Sequence, residues 1–225
     1  MSPAPTVETA ISRWIATFAG GAAPGRILDV GCGTRPYEPL FTGWEYIGID
    51  VAVSGRPAEY KVVDQYFDGH SIPYPDESFD AVLCTEVLEH CVDATRIAGE
   101  IRRVLRPGGN AVITVPFMWG EHEMPYDFRR YSINGITQML ESVGLEVIRA
   151  DRSQPGIDAI AALVASEINN SVRNLENGRL SIRARFVRQV EPYLWTILRR
   201  LWQSQYAFVR VYVDNLVVAR RPFAD

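Results

Sequence analysis

The chain has 225 residues, 47% of them hydrophobic, and a formal net charge of −4. That length buries one sizeable core and is short for two, so one domain with an elaboration is expected, and the mild negative charge excludes a general electrostatic attraction to nucleic acid. The three cysteines, Cys32, Cys84 and Cys91, are odd in number and have no C-x-x-C spacing. This argues against a disulfide framework or a structural zinc site and for a reduced, cytoplasmic setting. No leader of basic then apolar residues and no run of about 18 apolar residues is visible, so neither a signal peptide nor a spanning helix is expected.

After a proline-rich start over residues 1–5, Ile11, Trp14, Ile15 and Phe18 recur at helical spacing. They predict an amphipathic helix over 6–20 that Gly20 and Gly21 end. It is expected to cover an edge or face of a sheet, the alternative being a lid over a ligand. Ile27-Leu28-Asp29-Val30 reads as a short buried strand running into Gly31-Cys32-Gly33. There two glycines one residue apart allow a tight turn and leave the main chain bare for a ligand to approach. Asp29 stands at the carboxyl end of that strand, where open α/β sheets bind ligands. The second strand, Glu45 to Asp50, ends in an acid about 20 residues on, the spacing that brings a carboxylate to a ribose.

Lys61-Val-Val-Asp64 reads as a third strand, Asp68 to Ser78 as a loop, and Phe79 to Thr85 as a buried fourth strand followed by Glu86-Val-Leu-Glu-His90. A helix with Ile97, Ile101, Val104 and Leu105 on one face should run until Pro107-Gly108-Gly109 stops it. Asn110 to Val115 is nearly all apolar, as a central strand is. A polar, aromatic segment follows over 116–131. Ser132 should cap a helix that Gly144 closes, and Leu145 to Ala150 and Phe208 to Ala219 should be the last strands. The alternation of strands and helices predicts a doubly wound, Rossmann-like α/β fold with a mostly parallel sheet. The division expected is a core over 26–150, a helical insertion over 151–207 and a last strand over 208–219. Two helical patterns fall in the insertion, one through Ile160, Leu163, Val164 and Ile168, the other through Leu194, Ile197, Leu198 and Leu201. The second carries Trp195 and Trp202 beside Arg199 and Arg200, a face suited to packing on the core or a second copy, to walling an acceptor pocket, or to resting on a membrane surface.

Taken together, LDVGCG, YIGID, VVD, SFDAVLCTEVLEH and LRPGGNAVITVP, in this order over roughly residues 26–150, resemble the class I S-adenosylmethionine-dependent methyltransferases. The likeness is to the small bacterial branch acting on small molecules and sugars. It implies a seven-stranded sheet with an antiparallel last strand and S-adenosylmethionine as cofactor. It also implies that Asp29, Gly31, Cys32 and Gly33 hold the methionine part. Asp50 and Val51 would meet the ribose, Asp64 and Gln65 flank the adenine, and Thr85 and Glu86 face the amino-acid end. Arg35 stands where many relatives have a third glycine.

The expected acceptor is a small molecule, methylated at a hydroxyl of a sugar, a glycan intermediate or a specialised metabolite. A hydroxyl benefits from a general base. His122, just past the fifth strand with Asp127 and Arg129 nearby, is the candidate, a hydrogen-bonded brace being the other reading. His90 is expected to brace its own helix, and Cys84 and Cys91 to fill the core. No dedicated metal-site pattern is visible, although scattered oxygen ligands leave no pattern to see. A homodimer is open, and no basic stripe points to RNA. Two rivals stand: a nicotinamide-dependent oxidoreductase, disfavoured by Pro36 where the dinucleotide fingerprint wants a small residue, and a non-catalytic partner protein of the same fold.

Overall fold

In the computed structural model, residues 6–173, 193, 195–197 and 211–223 are described. In chain order these form α1 (Val7–Ala19), β1 (Arg26–Val30), β2 (Glu45–Val51), β3 (Gln65–Phe67), β4 (Phe79–Thr85), α2 (Ala94–Val104), β5 (Leu105–Pro116), α3 (Ile133–Ser142), β6 (Glu146–Arg152), α4 (Ile157–Arg173) and β7 (Asp214–Arg220). The seven strands make one sheet in the order β3-β2-β1-β4-β5-β7-β6. All neighbours run parallel except β7, which is antiparallel to both β5 and β6. The chain leaves β1 toward β2 and later crosses back to β4 on the other side, so the strand order switches at β1 and opens a crevice at the carboxyl ends of β1 and β4.

The strands alternate their side chains between two buried faces, which is why they read as continuous apolar runs. Leu28, Val30, Val82, Cys84, Ala111, Ile113, Val217 and Ala219 point to one face, against Ile97, Ile101 and Val104 of α2 and Ile136 and Leu140 of α3. Ile27, Ala81, Leu83, Val112, Leu216 and Val218 point to the other, against Ile11, Trp14 and Ile15 of α1 and against Tyr37 and Phe41. The helix starts are capped, at Ser132 as the sequence suggests and at Thr6 as well. Thr6 Oγ1 accepts from Thr9 N–H, and Ser132 Oγ accepts from Gly135 N–H. Asp93, with no part in the sequence expectation, caps α2 through Arg96 N–H. Trp14 of α1 also donates its indole N–H to Asp151 of β6 at 2.8 Å, which ties the first helix to the far edge of the sheet. The helix thus covers a sheet face, and its Val7, Glu8 and Ile11 reach the cleft as well.

Several boundaries differ from expectation. The third strand is Gln65–Phe67 rather than 61–64. Val62 N–H is spent on Gly33 O and Asp64 N–H on Gly48 O, so this stretch holds the glycine turn and β2 instead of forming a ladder. Helix α2 ends at Val104, before Pro107. The two glycines lie inside β5, where Gly108 has φ +80° and a Cβ on Gly109 would sit 2.9 Å from Arg106 O. The last strand is Asp214–Arg220; of its expected start, residues 208–210 lie outside the described residues and 211–213 are not in a strand. The first insertion pattern is helix α4. Of the second, Trp195 to Ile197 are helical, while Leu194, Leu198, Leu201 and Trp202 lie outside the described residues. Among the described residues no helix is long and apolar enough to cross a membrane.

Candidate active site

A cleft of about 410 Å³ opens at the carboxyl ends of β1, β2 and β4. Its floor is the turn after β1. Gly31 and Gly33 both take left-handed backbone, φ +74° and +50°, but for different reasons. A Cβ on Gly31 would lie 2.4 Å from Val87 Cγ2, so that glycine lets the β4 loop close over the turn. A Cβ on Gly33 would find nothing nearer than Arg56 Nη1 at 3.9 Å and would stand in the cleft itself. The bare main chain there is a cradle for a ligand.

Asp50 and Val51 line the cleft from the end of β2. The carboxylate of Asp50 is already engaged, accepting from Gly33 N–H (3.0 Å), Val51 N–H (2.7 Å) and the Lys61 ammonium (2.8 Å). Lys61, whose side chain is 2% exposed, spends its other donors on Val51 O and Ser54 Oγ. A carboxylate has about four acceptor sites, so one remains for a ribose hydroxyl unless Lys61 yields. Asp29, by contrast, is not among the lining residues. It is 1% exposed and accepts from Tyr46 O–H at 2.5 Å. Burial pushes its carboxyl up to about 7, opposed by that hydrogen bond and reinforced by the charge of Asp50. Asp64 and Gln65 also lie off the cleft. Asp64 accepts from Gly48 N–H and pairs with Arg35, which stacks on Tyr46, so the arginine in the third-glycine position clamps β2 from outside.

Thr85 and Glu86 line the cleft from β4. Glu86 takes left-handed backbone, φ +53°, unusual for a residue with a Cβ, and accepts from Thr114 O–H at 2.8 Å. Burial and the charges of Glu89 and Asp214 drive its carboxyl well above the usual range. Burial likewise lifts Glu89 to about 8 and Asp214 to about 6. Three acids are thus gathered beside the cleft.

The segment over 117–131 roofs one end of the cleft with Trp119, His122 and Glu123. Of the expected trio, His122 and Asp127 come together. Asp127 accepts from His122 N–H at 2.9 Å, and its carboxylate stands 3.4 Å from His122 Nδ1. Arg129 turns away to donate to the carbonyls of Cys91 and Val92. Its neighbour Arg130 grips Asp127 in a fork of 2.5 and 2.7 Å, which holds that carboxyl down at about 2. His90 does not brace its own helix. It lies at the end of a tight turn over Leu88–His90, its Nδ1 is 2.8 Å from Tyr126 O, and its ring meets that of His122 edge to face at 4.8 Å. Cys84 is fully buried and Cys91 packs beside the same core.

Lys61, Arg130 and Glu89 are the residues that sequence reading passed over. The signal for Glu89 was present in EVLEH, a carboxylate set among apolar residues, but only the turn after β4 shows that it faces inward. Ion pairing of Lys61 to Asp50 spans a loop whose path no spacing rule predicts.

Comparison with known proteins bears on the same elements. A family model described as a methyltransferase domain matches residues 5–150. A 27-O-demethylrifamycin SV methyltransferase of Amycolatopsis mediterranei is 34% identical over 124 residues, 48% of this chain and 46% of that protein. The chain thus spans about half the length of that curated relative. Among solved structures, the [4+2]-cyclase SpnF superposes with a TM-score of 0.62 at 19% identity, covering 100% of this chain and 86% of that one. Phosphoethanolamine N-methyltransferase 2 of Haemonchus contortus, solved with S-adenosyl-L-methionine, gives 0.59 at 17% identity, covering 98% and 54%. These two structures share the fold.

Proposed function

The chain belongs to the methyltransferase-domain family, and on that premise we propose that it transfers the methyl group of S-adenosylmethionine to a hydroxyl of a small-molecule acceptor in the cytoplasm. The observation that carries the reading is the cleft at the carboxyl ends of β1, β2 and β4, with bare left-handed main chain at Gly33 and the Asp50 carboxylate on its wall. The residues present fit the cofactor. Gly31, Cys32 and Gly33 cradle its methionine part, Thr85 and Glu86 border the amino-acid end, and Asp50 and Val51 take the ribose. Asp64 and Gln65 support the adenine side from behind the cleft wall, and Asp29 holds the floor in place rather than touching the ligand. When bound, the sulfonium supplies an already activated methyl group.

Most of what the protein adds is therefore placement, holding the acceptor oxygen close and in line. The roof over 117–131 supplies the acceptor end, and His122, set by Asp127, is the group there that can draw off the acceptor's proton. Asp127 and Arg130 hold His122, and Arg129 fixes the loop after β4. The small cleft and the relative named for an O-demethylated rifamycin support a small acceptor methylated at oxygen. The dehydrogenase rival loses its support, since Pro36 lines the cleft where that fingerprint needs a glycine or alanine.

Calorimetric titration with S-adenosylmethionine and S-adenosylhomocysteine tests the reading. Asp50→Asn should weaken binding at least tenfold, since it removes charge-assisted acceptance of the ribose hydroxyls. Asparagine is preferable to alanine because emptying the site leaves Lys61 buried and unpaired, at a cost of about 3–5 kcal/mol. Absence of binding to folded wild type, or thermal stabilisation by NAD alone, would overturn the proposal.

A further inference from the structure

We propose that Glu89, His90 and His122 form a binding site for one divalent transition-metal cation at the acceptor end of the cleft. One potential ligand atom from each of the three lies within 4.8 Å of the others. Glu89 and His90 come from the turn after β4 and His122 from the roof after β5, so the two elements that border the acceptor converge on this point. His90 Nε2 and Glu89 Oε1 are 3.7 Å apart, close to the spacing of about 3.4 Å between two ligands of a tetrahedral ion bound at about 2.1 Å.

The polar bookkeeping points to a missing partner. The Glu89 side chain is 0% exposed, and neither of its carboxylate oxygens has a hydrogen-bond partner. Buried carboxylates are ordinarily paired or bound to metal. His90 Nδ1 faces the carbonyl of Tyr126, which can only accept, so the proton sits on Nδ1 and Nε2 carries a lone pair. That Nε2 is buried and without a partner. His122 is likewise held through Nδ1, which lies 3.2 Å from the carbonyl of Gly120 and 3.4 Å from the Asp127 carboxylate. An imidazole anchored through one nitrogen with the other left bare is how proteins present a histidine to a metal. Glu86, Glu89 and Asp214 together gather three carboxyl groups here, with Arg130 as the neighbouring cation.

Two imidazole nitrogens and one carboxylate suit manganese, iron, cobalt or zinc better than magnesium or calcium. Three protein ligands leave positions open on the cleft side, where the oxygen of an acceptor can bind and have its hydroxyl pKa lowered. His122 then assists the acceptor through the cation rather than as a free base. That service rests on the methyl-transfer reading; the site itself does not.

Untagged protein, freed of metal with a chelator, is titrated with Co²⁺ and followed by visible absorption and calorimetry. Uptake of one equivalent with d–d bands is expected, weakened at least tenfold in His90→Gln and in His122→Gln, each shown folded by circular dichroism. No uptake at millimolar Co²⁺ by wild type that still binds S-adenosylmethionine overturns the site and leaves the methyltransferase reading standing. Unchanged uptake in both folded variants also overturns it. Uptake by protein that fails to bind S-adenosylmethionine upholds the site and removes only its role in methyl transfer.

Discussion

Asp29 and Asp50 end adjacent strands, yet the protein treats them in opposite ways. Asp50 is surrounded by donors, whereas Asp29 is enclosed with a single phenol and keeps one oxygen without a partner. Because the folded-state pKa of Asp29 is raised from 3.8 to about 7, the native state holds its proton where the unfolded chain releases it. Its contribution is therefore fully present below about pH 4 and is lost as pH rises toward 7, a change on the order of 4 kcal/mol. Urea midpoints measured from pH 4 to 8 should show this loss, and Asp29→Asn should remove it from the profile. An unchanged slope would mean the carboxyl ionises as freely in the fold as in the coil. The glycines offer a second test at this scale. Gly31→Ala brings a Cβ to within 2.4 Å of Val87 and should lower both stability and cofactor affinity. Gly33→Ala meets no protein atom closer than 3.9 Å, so it should cost only the left-handed penalty of about 1–2 kcal/mol while binding falls sharply. Thermal melts and calorimetry on the pair distinguish turn strain from ligand exclusion.

Among the elements, the roof over 117–131 has no helix or strand of its own and is held by side chains. Arg130 grips Asp127, Arg56 pairs with Glu123 across the cleft mouth, His90 holds Tyr126 O, and Phe117 stacks on Tyr212 at 4.3 Å. Such a segment opens more easily than the sheet beneath it. Arg130→Ala should therefore raise amide exchange across 117–131, read by mass spectrometry, while β4 and β5 stay protected and cofactor affinity changes little. Equal exchange in wild type and variant would show that the Asp127 fork does not hold the roof. Helix α3 gives a simpler measure, since Ser132→Ala removes its cap and should cost about 1 kcal/mol. These differences trace to what each element is made of. Strands and capped helices announce themselves through periodicity, while the roof is defined by side-chain contacts without a period, some local, as in the Asp127–Arg130 fork, and some distant, as in the Arg56–Glu123 pair.

At the scale of the molecule, one sheet carries two cores. Ile15 belongs to the cluster under α1 and Ile101 to the cluster under α2, each 2% exposed or less. Truncating either to alanine should cost about 2–5 kcal/mol. Since the two share no cluster, the costs should add to within about 0.5 kcal/mol and unfolding should remain a single transition. Strong non-additivity in the double variant would mean the faces are coupled through the sheet.

The sequence by itself determined the strand order of appearance, the glycine turn, the acid ending β2 and the alternation that made the fold an α/β sheet, because each is a local rule written in neighbouring residues. Hydrophobic runs could not say that Lys61 to Asp64 would spend its backbone on the turn and on β2, which moved the third strand to Gln65. Nor could spacing tell Arg129 from Arg130, since their partners lie on different elements. Only the tertiary structure placed Glu89, His90 and His122 together, decided that Lys61 engages Asp50, and enclosed Asp29 away from the cleft. The physical reason is the same throughout: burial and pairing of charged groups depend on contacts between distant segments, and those distances exist only once the sheet has formed.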